Sequence, residues 1–470
     1  MNKIKDRLPI FLLLIVLLIG NASCKDGDND DDSGLIIDPT EESGVNAWIE
    51  STMRENYLWY ADMPAQSKLN FSADPETFFS SLLSTSDGNE YSDGTHYYYS
   101  YIESTASTTK SISSTDYSYG FEFTLYSLSD TSYVAHILYV APNTPASEAG
   151  LERGSWIVEM AGKAITASNY SALYGGSAMR LRLAAYDSNK GGLYYSGYIE
   201  IATARTIEDD PIHLDSIYTR SSGKKVGYLV YNHFTAGQTD EDTKYDKELL
   251  SLSNTFKGVN EFILDLRYNN GGLLSSAQLL STILAPTSAL GKTFCTLQYN
   301  DKQSPQSESI TLRSSLLNGG VNLDLKTIYI LVTAETASAS ELVINCLKPY
   351  MNVVVIGETT EGKNVASVSY TDDKYPWHLQ PIVCKLYNAS DKSEYGKVGF
   401  TPDYEYDEAT TLDKFLPFGD TNELLLSTAL SLIDGTYTRA ATKATTLSTM
   451  NLKKVVCSLD RKGSNGVIIR

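Results

Sequence analysis

Histidine and cysteine are both scarce in this chain, with five of each in 470 residues. The cysteines, Cys24, Cys295, Cys346, Cys384 and Cys457, are widely spaced and form no Cys-x-x-Cys pair. That spacing argues against a zinc or iron–sulfur cage and leaves mostly free, buried thiols as the expectation. Of His96, His136, His213, His233 and His378, His213 has three carboxylates close in sequence (Asp209, Asp210, Asp215), and no candidate nucleophile stands beside it. All five read as structural or exposed. Basic residues are also in deficit, 38 against 57 acidic, for a net charge of -19. Without a basic footprint for a phosphate backbone, nucleic acid is excluded as a partner. Long apolar runs are missing too: Leu8 to Ile19 is shorter than the 18 or more residues that a bilayer-spanning helix needs.

That short run follows Lys3, Lys5 and Arg7 and leads into Gly20-Asn21-Ala22-Ser23-Cys24. A basic start, an apolar stretch and small residues before a cysteine suit a signal peptide. The segment resembles a bacterial lipoprotein signal, although Asn21 stands where a leucine is usual. The resemblance implies that residues 1–23 are removed, that Cys24 carries lipid, and that membrane attachment is through this lipid. Residues 24–42 are rich in aspartate, a composition that self-repels and buries nothing, and read as a solvated tether. An acidic stretch at this place resembles the surface-export signal of Bacteroidetes lipoproteins. An outer-membrane lipoprotein, at the cell surface or on the periplasmic face, is the expected location.

The rest divides by pattern. Residues 43–112 begin with Ile49, Met53, Tyr57 and Tyr60 at helical spacing and contain a proline-started helix at Pro75. Residues 113–206 hold strand-like runs at 121–126, 133–140 and 156–160, with a two-turn helix expected over Pro145 to Leu151 and loop over 107–119. From 207 to 435, apolar runs at 226–231, 261–266, 327–332 and 353–356 alternate with helical stretches and lack in-and-out alternation. Strands buried on both faces are implied, hence a layered α/β core. Residues 436–470 form a Thr-, Ala- and Ser-rich extension with one strand-like piece at 455–458.

Three segments of the α/β region carry chemistry. Asp265-Leu266-Arg267-Tyr268-Asn269-Asn270-Gly271-Gly272 ends a buried strand, and paired glycines there let backbone approach a ligand. Alone, it reads first as a turn. In Thr336-Ala337-Ser338-Ala339-Ser340-Glu341, Ser338 opens a helix, where first-turn N–H groups can stabilise an oxyanion. Alone, Ser338 and Glu341 read first as a capping box. Gly357-Glu358-Thr359-Thr360-Glu361-Gly362-Lys363 looks like part of a phosphate loop but fails, because Asn364 stands where serine or threonine is required.

Together the three segments resemble the carboxyl-terminal processing peptidases, the S41 serine protease family. By that resemblance the fold is multidomain α/β: a ClpP/crotonase-like layered α/β protease core, a β-rich PDZ-like domain and a small N-terminal helical domain. The resemblance implies a serine endopeptidase that hydrolyses peptide bonds through an acyl-enzyme. Ser338 would be nucleophile and Lys363, 25 residues later, the base. Ser367 stands where the family often has a glutamine that orients the base. Ala339 with Gly271 or Gly272 would form the oxyanion hole. Tyr119-Gly120-Phe121-Glu122-Phe123 resembles the carboxylate loop of a PDZ domain, which implies that Gly120, Phe121, Glu122 and Phe123 bind peptide. No metal or cofactor is implied. The implied partners are protein or peptide substrates, with homo-oligomerisation left open. The rival is an inactive S41-fold surface lipoprotein that binds peptides or glycans.

Overall fold

Apolar runs without alternation become the centre of the molecule. The computed structural model describes residues 39–91, 94–105, 115–239, 241–438, 450, 452–462 and 467–469. The expected signal segment and Cys24 lie outside these. Lys225–Tyr231, Glu261–Asp265, Thr327–Val332, Asn352–Gly357 and Tyr404–Glu405 form a parallel sheet in that order, with Ile212–Thr219 antiparallel at one edge. Leu229, Leu264, Ile330 and Val355 pack with the helices Leu274–Leu284 and Ala339–Leu347. Tyr228, Ile263, Leu331 and Ile356 meet the helix Leu424–Asp434 on the other side. Burial of both faces explains why these strands carry no polar stripe.

A second sheet runs Gly272–Leu273, Val467–Ile469, Val365–Val368, Ile382–Tyr387, Thr293–Tyr299 and Glu308–Thr311. Its Val467, Ala366, Val383, Leu386 and Phe294 share one core with the helices Leu274–Leu284 and Ala339–Leu347. Those helices therefore lie between two sheets.

The β-rich region has its own core, around Phe123, Ile137, Ile157 and Leu181. Its sheet runs Gly192–Ile201, Met179–Asp187, Trp156–Met160, Tyr133–Val140, Phe121–Ser127 and finally Lys453–Cys457, which comes from the far end of the sequence. Two local expectations change here. The Pro145 helix is a single turn, Pro145–Glu148, capped by Thr144. Thr115–Ser118, expected as loop, is a strand because Arg205–Glu208 pairs with it, a long-range partner that composition does not reveal. Further upstream the helix Pro39–Asn56 starts inside the expected tether, and its Ile49 and Met53, with Tyr57 just beyond its end, are fully buried against Phe78 and Phe79. Cys295, Cys346, Cys384 and Cys457 are free and buried, as expected.

A buried charge network joins the regions. Arg267 Nη2 donates to Asp265 Oδ2 at 2.8 Å, and Arg267 Nη1 to both Glu408 Oε2 and Glu423 Oε1 at 2.8 Å. Arg153, from the β-rich region, donates to Glu408 Oε2 at 2.7 Å and to the Tyr268 hydroxyl at 2.7 Å. Burial pushes the Glu408 carboxyl up, but the guanidinium groups of Arg153 and Arg267 outweigh it and hold the carboxyl down at about 2. Its stabilising share is thus complete above the ordinary carboxyl value of about 4.3 and is lost as pH falls toward 2. Arg267→Met leaves three carboxylates short of their counter-charge and is expected to cost about 3–5 kcal/mol in denaturant unfolding. Arg180→Met, which removes an exposed pair with Glu200, is expected to leave the unfolding curve in place.

Candidate active site

Ser338 lies where the strand Thr327–Val332 turns into the helix Ala339–Leu347. Its backbone has φ 62° and ψ −111°, a region that a residue with a side chain enters at a cost on the order of 1–3 kcal/mol. Several bonds hold it there. The Ser338 N–H donates to Glu341 Oε2 at 2.9 Å, and Asn269 O accepts both the Ala337 N–H at 3.1 Å and the Ser340 Oγ at 2.9 Å. Ser338 and Glu341 occupy the two positions of a capping box. The carboxylate side of it is made, but the buried Ser338 Oγ has no hydrogen-bond partner. An unsatisfied buried hydroxyl costs about 1–3 kcal/mol, which a plain cap would not incur. The neighbouring Ser340 hydroxyl, by contrast, is engaged.

Glu341 is fully buried and gathers donors from two segments. Its Oε2 accepts the N–H of Ser338 and, at 2.8 Å, that of Lys363; its Oε1 accepts the Gly362 N–H at 2.8 Å and the Thr360 Oγ1 at 2.5 Å. Burial pushes its carboxyl up to about 7, against the pull of these donors. One carboxylate oxygen therefore ties the backbones of Ser338 and Lys363 together.

The Lys363 side chain is wholly buried, with Nζ 4.3 Å from the centroid of the Tyr99 ring. Burial pushes its amine down to about 7, while the carboxylates of Asp87, Glu361 and Glu341 pull it upward. Tyr97 and Tyr99 both donate to Glu361 Oε1, Tyr99 at 3.2 Å. Asp87 Oδ1 accepts the Tyr99 N–H at 3.0 Å, and Asp87 Oδ2 accepts the Tyr57 hydroxyl at 2.9 Å. The N-terminal region thus forms the wall that dries the lysine. Sequence reasoning missed Asp87 and Tyr99, since nothing in 43–112 points toward residue 363. It saw Glu341 only as a cap.

Gly271, with φ 110°, has no room for a side chain: a Cβ there would lie 2.7 Å from the Ser338 Cβ and 3.1 Å from the Ala339 N. Its N–H is engaged by Asn269 Oδ1 at 2.9 Å. Gly272 follows with φ 132°, and a Cβ on it would strike Phe234 O at 2.1 Å. Gly271 and Ala339 are therefore brought together at Ser338, with Gly272 next in the chain and packed against Phe234. Ser367 is not joined to the lysine: its Oγ accepts from Gln380 Nε2 at 2.9 Å and donates to Val467 O at 3.5 Å. The role that the resemblance gave it, orienting Lys363, has no bond to support it here.

Gly120, Phe121, Glu122 and Phe123 are far along the chain from these groups, in the β-rich sheet. Gly120 has φ 88° and abuts the Thr144 side chain. Phe121, Glu122 and Phe123 pair with Val140, Tyr139 and Ile137, and the edge beyond them, Thr124 to Ser127, is taken by Lys453–Cys457. The Ser338 hydroxyl bonds to none of the histidines. His136 stacks on Trp156 with centroids 4.2 Å apart, and burial holds its ring down at about 3.

Residues 225–406 match the profile of peptidase family S41, and residues 44–108 match that of the peptidase S41 N-terminal domain. The carboxy-terminal processing protease CtpA of Bacillus subtilis is 26% identical over 239 residues, covering 50% of this chain and 46% of that protein. A CtpA-like protein of Staphylococcus aureus is 31% identical over 163 residues, 35% of this chain and 30% of its own. The chain thus spans less than half the length of these curated relatives. A crystal structure from Bacteroides fragilis, classed with the S41 proteases, superposes with a TM-score of 0.75 at 41% identity, covering 83% of this chain and 98% of that one. With both profiles in chain order and a near-complete match to that structure, this chain belongs to peptidase family S41.

Proposed function

We propose that the protein is a serine endopeptidase in which Ser338 is the nucleophile and Lys363 the general base. The observation that carries this reading is the pairing of a strained, buried hydroxyl without a partner and a desolvated amine, both anchored on Glu341. Neither feature serves the fold: each costs stability and is retained.

The chemistry follows from the groups. Neutral Lys363 accepts the proton of Ser338 as Oγ adds to a peptide carbonyl carbon, which requires Nζ to reach a hydroxyl that it does not bond in this structure. The carbonyl oxygen becomes an oxyanion facing the Ala339 and Gly272 N–H groups. Each well-aimed donor is worth roughly 3 kcal/mol there. Collapse breaks the C–N bond, Lys363 gives its proton to the leaving amine, and an ester on Ser338 remains. Water then adds, losing its proton to Lys363, which returns it to Ser338 Oγ as the acid departs. Gly271 is assigned to shape rather than donation, because its N–H is already engaged by Asn269.

The proposal extends to location. Cys24 is taken as the lipidated residue, placing the enzyme on the outer membrane with protein substrates at the envelope. Labelled palmitate is expected to enter the wild-type chain and not Cys24→Ala; equal labelling of both would refute it.

Cleavage of an unfolded protein such as casein is expected to fall roughly 10³-fold or more in Ser338→Ala and in Lys363→Met. Undiminished cleavage by either variant assigns the chemistry elsewhere. Because the neutral amine is the active form, kcat/KM is expected to rise with pH through about 7. The same depressed value makes Lys363 a stability liability. Between about 7 and its unfolded value of about 10.4, the unfolded chain binds the proton and the folded one does not, so stability rises with pH. At pH 7 Lys363→Met is therefore expected to raise Tm, the gain being roughly 4 kcal/mol. A variant that melts at or below the wild-type temperature speaks against a desolvated lysine.

A further inference from the structure

One strand of the second sheet comes from the far end of the sequence and fills a place one strand wide. Val467–Ile469 runs parallel to both neighbours, with Val467 opposite Gly272 and Ala366, and Ile468 opposite Leu273 and Ser367. Gly272 adjoins the glycine that touches Ser338, and Val365 comes two residues after Lys363. The flanking strands therefore extend from the segments that carry the candidate oxyanion donor and the candidate base. They do not pair with each other; only the inserted strand joins them. Strands in a sheet lie about 4.8 Å apart, so without the insert the two edges would face each other across roughly twice that distance, each with unpaired backbone groups.

A second piece of the same region lies on the other edge that sequence reasoning assigned to peptide. Lys453–Cys457 pairs antiparallel with Phe121–Ser127, Lys453 opposite Ser127 and Cys457 opposite Thr124, so it runs toward the Gly120 loop. At the end of that run Ser458 Oγ accepts the Phe123 N–H at 2.8 Å and donates to the Glu122 carboxylate. Lys454 Nζ meets Glu335 Oε1 at 2.7 Å, three residues before Ser338. An extended segment added to an open sheet edge, held by main-chain bonds and side-chain pockets, is how strand-addition sites take a peptide.

We propose that Lys453–Cys457 and Val467–Ile469 occupy in cis the two strand-addition sites that a substrate uses, and act as a resident competitor. The substrate class follows from the occupant: an extended polypeptide that adds one strand at the Phe121–Ser127 edge and places β-branched residues in the slot between Gly272–Leu273 and Val365–Val368. The inference rests on the protease reading for the word substrate, but the occupancy itself is a binding claim. With the sites filled, apparent affinity for an outside peptide falls by the fraction of molecules that are open.

The test uses full-length Ser338→Ala, in which binding is read without cleavage, so the outcome is independent of whether Ser338 is a nucleophile. A fluorescent peptide of residues 452–469 is titrated into this protein, into the same protein with Val467→Asp and Ile468→Asp, and into one with Val456→Pro, which breaks the ladder opposite Leu125. Anisotropy is expected to report at least roughly tenfold tighter binding to the altered proteins, with cooperative melting retained. Unchanged affinity in a variant that still melts cooperatively overturns the proposal. So does loss of the cooperative transition in both, which would make these strands indispensable to the fold rather than displaceable occupants.

Discussion

Everything at the candidate site depends on one buried carboxylate. Glu341 receives four donors, two on each oxygen, from the mouth of a helix and from the Thr360–Lys363 loop. These segments leave neighbouring strands of the parallel sheet and are also tied by the Glu361 N–H donating to Thr336 O at 3.0 Å, but Glu341 is the side chain that joins Ser338 to Lys363. Hydrogen bonds to a buried carboxylate are about twice as strong as neutral ones, and each satisfied donor lowers the cost of burying the acceptor. Glu341 thus fixes the backbones of Ser338 and Lys363 relative to each other, while Asn269 steadies the helix start and the Tyr99 ring covers the amine.

The arrangement concentrates instability where chemistry is proposed. Ser338 has an unfavourable backbone angle and an unsatisfied hydroxyl, and Lys363 has lost its solvation. These penalties must be offset elsewhere, and the layered core is where the apolar burial lies. Helices Leu274–Leu284 and Ala339–Leu347 are packed on both sides, and the sheet that supports Ser338 is buried on both faces. The Arg267 network acts differently. It fixes the strand end at Asp265 to the helix start at Glu423, and so sets the position from which Asn269 reaches Ser340 and Ala337.

The parallel core was legible because strands buried on both faces must be apolar throughout, and helices such as Leu274–Leu284 fall between those runs as the alternation predicts. The site was legible in its motifs, since Gly271 needs a positive φ and Ser338 needs a helix start. What composition could not reveal was pairing. Thr115–Ser118 and Val467–Ile469 are strands only because distant partners accept them, and the second sheet gathers pieces from residues 272 to 469. Asp87 and Tyr99 escaped for the same reason: their part depends on where the N-terminal region packs, and that contact has no local signature. Ser367 is the converse case, a position matched by motif whose hydroxyl bonds Gln380 and Val467 in this structure.

The aromatic wall has one more implication. Tyr99 stands more than a hundred residues before the α/β region begins, yet its ring is what lies against the Lys363 amine. A core excised without that region would let water reach the lysine and restore its ordinary ammonium state, removing the proposed base while every motif residue stayed in place. The amino-terminal segment is thereby a cofactor of sorts, a removable desiccant supplied by the chain itself.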